Sequence, residues 1–404
     1  MRGTRRLRTT RLLALASVIT LSVAGLQTGP VAAARTGTPA QAPDQVDVQR
    51  HRQQQETVVR YGPYTIEPGP ELPDGRHGHA HSGNQFAFGV EKPCENCYLT
   101  GMVARLTRTD GSTAGASNNL FLHHMLLFNT DAGRVDATCN PGSPIPLGLL
   151  GQRFFASGDE RTPIQAPRGY GYRVGTGAWN LIWDLMSTSR VTETVYYEVT
   201  FTWVPDTTPG MRDVEPVWFD IDQCGDSQYS IPAGPSERSW TWTVNRPGDM
   251  VGVGGHLHDG GVNLTVDNVT TGERICDSVA GYGETPLYVD HHGDAHISSM
   301  STCGGPGSRP IARLASGQEV RITSHYDVEE AMDDVMGIAV AYVAEPFEST
   351  CVRARNHEHV AAGRAWAFHH WAFAVGTGDF LGGLHSRRSL REDPAATWHR
   401  VRRC

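Results

Sequence analysis

The sequence predicts an all-β protein: two antiparallel jelly-roll β-sandwich domains followed by a small cysteine-flanked C-terminal module. Three observations carry this. From Tyr61 to Glu345 the chain is a succession of short apolar runs broken by Gly, Pro, Asn and Asp, with no long helical period. The strongest runs are β-branched and aromatic, as in Val195-Tyr196-Tyr197-Glu198-Val199-Thr200-Phe201-Thr202-Trp203-Val204. Roughly 285 residues of such texture exceed what one ordinary sandwich holds, so two domains are expected.

Taken in order, residues 1–34 read as a secretory signal. Arg2, Arg5, Arg6, Arg8 and Arg11 form a charged region, Leu12 to Leu26 an apolar core, and Ala32-Ala33-Ala34 a small-residue cleavage site. Residues 35–60 are rich in Thr, Pro, Gln, Ala and Arg without an apolar period and read as a disordered or extended leader. The first sandwich is expected over 61–205 and the second over 206–346, with the breaker-rich Val204-Pro205-Asp206-Thr207-Thr208-Pro209-Gly210 between them. In the second, Ser239 to Val244 alternates cleanly, Asn263 to Cys276 reads as a hairpin turning at Thr271-Gly272-Glu273, and Glu319 to Ser324 and Met336 to Val343 read as strands. The tail, 351–404, is rich in glycine and in histidines among aromatics.

Composition narrows the function. The chain carries a net charge of −8, and the five arginines of 1–34 make the remainder more acidic still, which argues against nucleic-acid binding. No stretch after the signal is long and apolar enough to span a membrane, so the mature chain is expected outside the cell. Eight cysteines in an exported chain favour disulfides; Cys276–Cys303 and Cys351–Cys404 are plausible pairs by position. Cys94-Glu95-Asn96-Cys97 has the spacing of a redox pair or half a zinc site, but no second Cys-x-x-Cys follows it.

Histidines and one methionine offer the chemistry. In Gly254-Gly255-His256-Leu257-His258-Asp259-Gly260-Gly261, His256 and His258 fall on one face of a strand, about 7 Å apart along the backbone. His123 and His124 sit in an otherwise apolar run, where a buried imidazole needs a partner and a metal supplies one. Adjacent strand residues face opposite ways, so joint ligation by this pair requires a local twist or bulge. A thioether from Met336 beside imidazoles suits copper, since sulfur favours Cu(I) and imidazole serves both oxidation states.

Three segments together resemble the type II, ascorbate-dependent copper monooxygenases, the family of peptidylglycine α-hydroxylating monooxygenase and dopamine β-monooxygenase. They are Leu122-His123-His124-Met125-Leu126-Leu127-Phe128, Gly255-His256-Leu257-His258 and Asp334-Val335-Met336-Gly337. Pro93 to Met102 is more similar to secreted bacterial and fungal relatives than to the animal enzymes. The resemblance implies two jelly rolls facing each other across a wet cleft, each with one copper. It implies that His256, His258 and Met336 form the oxygen-activating site that hydroxylates a C–H bond. His123 and His124 are then two ligands of an electron-transfer site fed by ascorbate or a similar reductant. A third histidine is expected where Asp184 stands; a carboxylate is a harder ligand that disfavours Cu(I). His77, His79 and His81 offer a substitute, while Met332 is a rival to Met336. His291, His292, His296 and His325 are expected at the surface or behind the ligands. Gly254, Ile338 and Val340 stand where the peptide-hydroxylating enzyme has the arginine, asparagine and tyrosine that grip a peptide, which argues against peptide amidation. The substrate is then another small molecule or a polymer. The competing expectation is a non-catalytic secreted copper-binding or polymer- and surface-binding protein that keeps the second metal site.

Within the tail, Asn356, His359, Gly363, Arg364 and Gly376-Thr377-Gly378-Asp379-Phe380-Leu381-Gly382 resemble a small module at the C-terminal end of some secreted esterases and polyhydroxybutyrate depolymerases. The chain has no Gly-x-Ser-x-Gly elbow, so an esterase is not implied.

Overall fold

The computed structural model describes residues 54–71, 78–139, 150–224, 227–393 and 396–404. The expected signal segment and His77 lie outside these residues. Nearly all of the regular structure is β, as the short β-branched runs require; the one α-helix among the described residues, Asn356–Ala361, is in the tail.

Four strands of the N-terminal half, Gln55–Ile66, Glu193–Pro205, Cys97–Arg108 and Tyr170–Val174, lie side by side in that order. Leu99 and Leu106 from this layer share a core with Leu122, Leu127, Trp179 and Leu181 from a second sheet. That second sheet centres on Trp179–Ser187, flanked by Leu120–Asn129 and by Gln85–Val90. The C-terminal half repeats the plan. Arg212–Asp220, Met332–Ala344 and Gly248–Leu257 form one layer. The other runs Gly234–Thr243, Glu319–Val328, Gly261–Asn268, Glu273–Tyr282 and Ile297–Met300.

The halves are not independent sandwiches in series. Arg212 and Asp213 pair in parallel with Tyr170 and Gly171, so one sheet runs through both. Val214, Trp218, Val251, Val340 and Tyr342 of the C-terminal half pack into the core of the N-terminal half. Burial of these large apolar side chains at the seam is what closes it.

Residues 55–60 correct the expected leader. They belong to the strand Gln55–Ile66, paired with Glu193–Pro205, with Val59 and Tyr61 buried. The polar residues that alternate with them disguise a half-buried strand as a polar leader.

All eight cysteines are paired, as Cys94–Cys97, Cys139–Cys224, Cys276–Cys303 and Cys351–Cys404. In the tail, the residues that carry the module resemblance serve the fold. Asn356 is buried and donates to the carbonyls of Leu381 and Gly383. His359 is buried and accepts from Arg364 Nε at 3.0 Å.

Candidate metal centre

Each expected ligand reaches the site for a local reason. Opposite Trp179–Ser187, the register slips between the pairs Asp184–His124 and Met186–Phe121, so Leu122 and His123 together oppose the single residue Leu185. This bulge supplies the twist that the adjacent histidines require, and their rings lie 5.1 Å apart, centroid to centroid. His256 and His258 lie at the end of Gly248–Leu257 with ring centroids 5.4 Å apart. Gly255 gives close approach here: a Cβ would lie 2.7 Å from Ser278 Oγ, which would have to shift.

Met336 follows from the register. His256 pairs with Ile338 and Leu257 with Gly337, which brings Met336 level with His258 at the strand end. It is buried but belongs to neither large core; it lines a cavity together with His124 and His256. Met332, the rival, packs against the C-terminal core. The Tyr326 hydroxyl ties the two strand ends together, accepting from His258 N–H and donating to the Met336 carbonyl.

The two histidine sets adjoin. The resemblance implies sites facing across a wet cleft, but the His123 and His258 rings are 5.2 Å apart. His81 stands 5.0 Å from His123 on the other side, so His81, His123, His258 and His256 form a continuous run, with His124 beside His123. The sheet and core that the halves share hold the two sets side by side.

Three of these buried ring nitrogens have no hydrogen-bond partner: His124 Nδ1, His256 Nε2 and His258 Nε2. An orphaned buried imidazole nitrogen is costly, and a metal cation is one partner that imidazole takes. In two of the rings the opposite nitrogen is engaged. His124 Nε2 lies 2.7 Å from Asn84 Oδ1, and His256 Nδ1 lies 3.0 Å from Glu160 Oε2. Such contacts fix which nitrogen is left to a metal.

Asp184 Oδ2 lies 3.0 Å from His123 Nδ1 and 3.6 Å from His81 Nδ1, and Asp184 Oδ1 accepts from Ser82 Oγ at 2.8 Å. The candidate ligand atoms of His81, His123 and Asp184 all fall within 4.8 Å of one another. Asp184 thus joins two imidazoles around one point.

The electrostatics favour neutral imidazoles at His124 and His258. Burial, reinforced by His123, pushes His124 down to about 3. Burial and the neighbouring His256, His123 and His124 hold His258 well below the usual imidazole range. Burial alone would lower His256, but the Glu160 carboxylate beside it raises it. Burial likewise opposes ionisation of Asp184, but His123, His81 and Ser82 outweigh it and hold the carboxyl far below its ordinary range.

Glu160, Asn84, Ser82 and Tyr326 escaped the sequence reading. Glu160 is buried beside Gly158, where a Cβ would lie 2.5 Å from His256 Cε1. A charged Asp159-Glu160 pair following the apolar Phe154-Phe155-Ala156 was the one visible signal. Of the other histidines, His296 bonds Asp259 at 2.6 Å, His325 lies 3.6 Å from Glu237, and the His291 and His292 rings lie 3.8 Å apart, tilted by 44°. Among the described residues none of these joins the cluster.

The cavity beside His124, His256 and Met336 encloses about 1080 Å³ of space, mouth included, against a wall of Leu126, Phe128, Ile182, Trp218 and Ile338. A metal bound to these histidines would therefore face an apolar chamber.

Residues 186–346 match a family model described as stress up-regulated Nod 19, a span that includes His256, His258 and Met336. The chain is similar to a protein of Phoma sp. named probable copper-dependent oxygenase M1, at 27% identity over 315 residues, covering 73% of this chain and 74% of that protein. It is also similar to the probable copper-dependent oxygenase clz3 of Cochliobolus lunatus, at 28% identity over 264 residues, covering 60% of this chain and 78% of that one. Among solved structures, PNGF-II overlaps 75% of this chain and 67% of its own at 8% identity, with a TM-score of 0.25, too low to bear on the fold.

Proposed function

We propose that this protein is a secreted copper-dependent oxygenase that hydroxylates a C–H bond of an organic substrate, using dioxygen and a one-electron reductant such as ascorbate. One observation carries the reading: His124, His256 and His258 each keep a buried ring nitrogen without a partner, in one run of adjoining rings with His123, and His124 and His256 line an apolar cavity together with Met336. Two relatives with copper in their names support it. The donor set fits copper better than zinc, because the thioether favours Cu(I) while imidazole accepts both oxidation states.

In this reading His256, His258 and Met336 hold the copper at which substrate is oxidised, and His123, His124, Asp184 and His81 hold a second. Copper there supplies one-electron exchange and reactivity toward dioxygen. The protein's own part is positional. Glu160 holds His256 with Nε2 free, Asn84 does the same for His124 Nδ1, and Tyr326 fixes the spacing of His258 and Met336. The apolar wall keeps water from the reacting end of the substrate. Four disulfides suit an oxidising, extracellular setting, and no helix among the described residues is long and apolar enough to cross a membrane.

A second reading rests on Asp184. A carboxylate in place of an imidazole favours Cu(II), which suits a copper-binding protein without turnover. Metal analysis of the purified protein, with oxygen uptake followed after ascorbate addition, separates the two. Two coppers per chain with ascorbate-dependent uptake support the oxygenase. One copper without uptake supports the binder, and no copper after reconstitution overturns both.

A further inference from the structure

The strand Gly248–Leu257 has a second opening along it. It encloses about 840 Å³, mouth included, against Leu99, Met102, Val251, Val253 and Tyr342. It shares two wall residues, Gly254 and Ile164, with the cavity that holds His256 and Met336. Gly254 lies two residues, about 7 Å, from His256 along the strand. No side chain fills that point: a Cβ on Gly254 would make an ordinary 3.7 Å contact with Thr302 Cγ2.

The walls also say what chemistry fits. The described residues lining the second opening include no Asp, Glu, Lys, Arg or His. In the first, the charged side chains are already engaged. Arg153 Nε donates to Asp136 at 2.7 Å and the guanidinium stacks on Trp218, while Glu160 holds His256. The polar ones are engaged as well. Asn84 is held by His124, Thr162 accepts from the Met300 N–H, and Ser227 donates to Asp220. A charged ligand group would be stripped of water there with no counter-charge to receive it.

We infer that the two openings form one binding tract for an elongated, uncharged, mainly hydrocarbon chain, with its reacting end at His256 and Met336 and its tail beyond Gly254. The reacting end rests on the oxygenase reading. The binding does not, because the tract is built without metal.

The test is titration of the full chain, metal-free and copper-loaded, with 1-hexanol, 1-octanol, 1-decanol and decanoate, followed by calorimetry and tryptophan fluorescence. Affinity is expected to rise about fourfold per methylene through decanol. Decanol should bind at least tenfold tighter than decanoate at pH 8. Gly254→Leu, in a backbone conformation open to any residue, should remove the gain from hexanol to decanol while leaving hexanol binding in place. Ile164→Phe tests the same neck from the other wall should the first variant not fold. The inference is overturned if no alcohol binds saturably, if decanoate binds as tightly as decanol, or if Gly254→Leu weakens all lengths equally. Copper content, measured on the same samples, keeps the two readings apart. A chain that binds decanol but no copper defeats the oxygenase alone, and one that binds copper but no alcohol defeats the tract alone.

Discussion

Replacing Glu160 by Gln tests how the centre is organised. The Glu160 carboxylate is buried, accepts from the Gly158 N–H at 3.2 Å and lies 3.0 Å from His256 Nδ1. Its charge favours the tautomer in which Nδ1 carries the proton and Nε2, the orphaned atom, is free for a metal. Glutamine keeps the shape and the Gly158 contact but loses the charge. Its amide can also donate to Nδ1, which moves the ring proton to Nε2 and blocks ligation there. Loss of such a supporting carboxylate costs about 10–100-fold in metal affinity, or about 1.4–2.7 kcal/mol. Competition for Cu(I) against a chromophoric chelator measures this, and the Cu(II) EPR hyperfine splitting reports the change at the ligand. A melting temperature within a few degrees of the parent confirms that the fold is intact. Affinity within threefold of the parent, with an unchanged EPR spectrum, refutes the assignment of Glu160 as the group that positions His256.

Gly158→Ala should drive a methyl into the His256 ring, lowering stability by about 1–3 kcal/mol and copper content with it; thermal melts and metal analysis check both. Tyr326→Phe leaves the His258 N–H and the Met336 carbonyl without their shared partner, a loss of about 1–3 kcal/mol readable by denaturant unfolding. Asp159 is raised to about 6, chiefly by burial, so the unfolded chain releases this proton at lower pH than the folded one. Its contribution to stability is therefore complete below the ordinary carboxylate range and is lost as pH rises toward 6. Asp159→Asn, which keeps an acceptor for the Leu122 N–H, should flatten unfolding free energy between pH 4 and 6 and raise it by about 3 kcal/mol at pH 7. An unchanged pH profile contradicts this.

Local chemistry wrote part of this protein into its sequence. The alternation of Ser239 to Val244, the Thr271-Gly272-Glu273 turn and the β-branched run at Val195 are decided by neighbours a few residues away; strands stand at the first and last, and a hairpin turns at the second. Cys276–Cys303 and Cys351–Cys404 follow from separations short enough to guess. The candidate ligands His123, His124, His256, His258 and Met336 were named because imidazoles and a thioether in strands that should be buried demand an explanation. The strand Gln55–Ile66 hid because its polar residues face solvent.

What only the tertiary structure decided depends on contacts between distant parts of the chain. The bulge that turns His123 and His124 together is set by their pairing with Trp179–Ser187, not by the histidines themselves. Glu160 reaches His256 across 96 residues, and Cys139 reaches Cys224 across 85. His-x-His and His-His read as members of two separate sets, yet His123 and His258 are neighbours because Val340, Tyr342 and Trp218 of one half pack into the core of the other. Periodicity fixes which face of a strand is buried; it does not say which strand lies opposite, and that partner is what brings the two histidine pairs side by side.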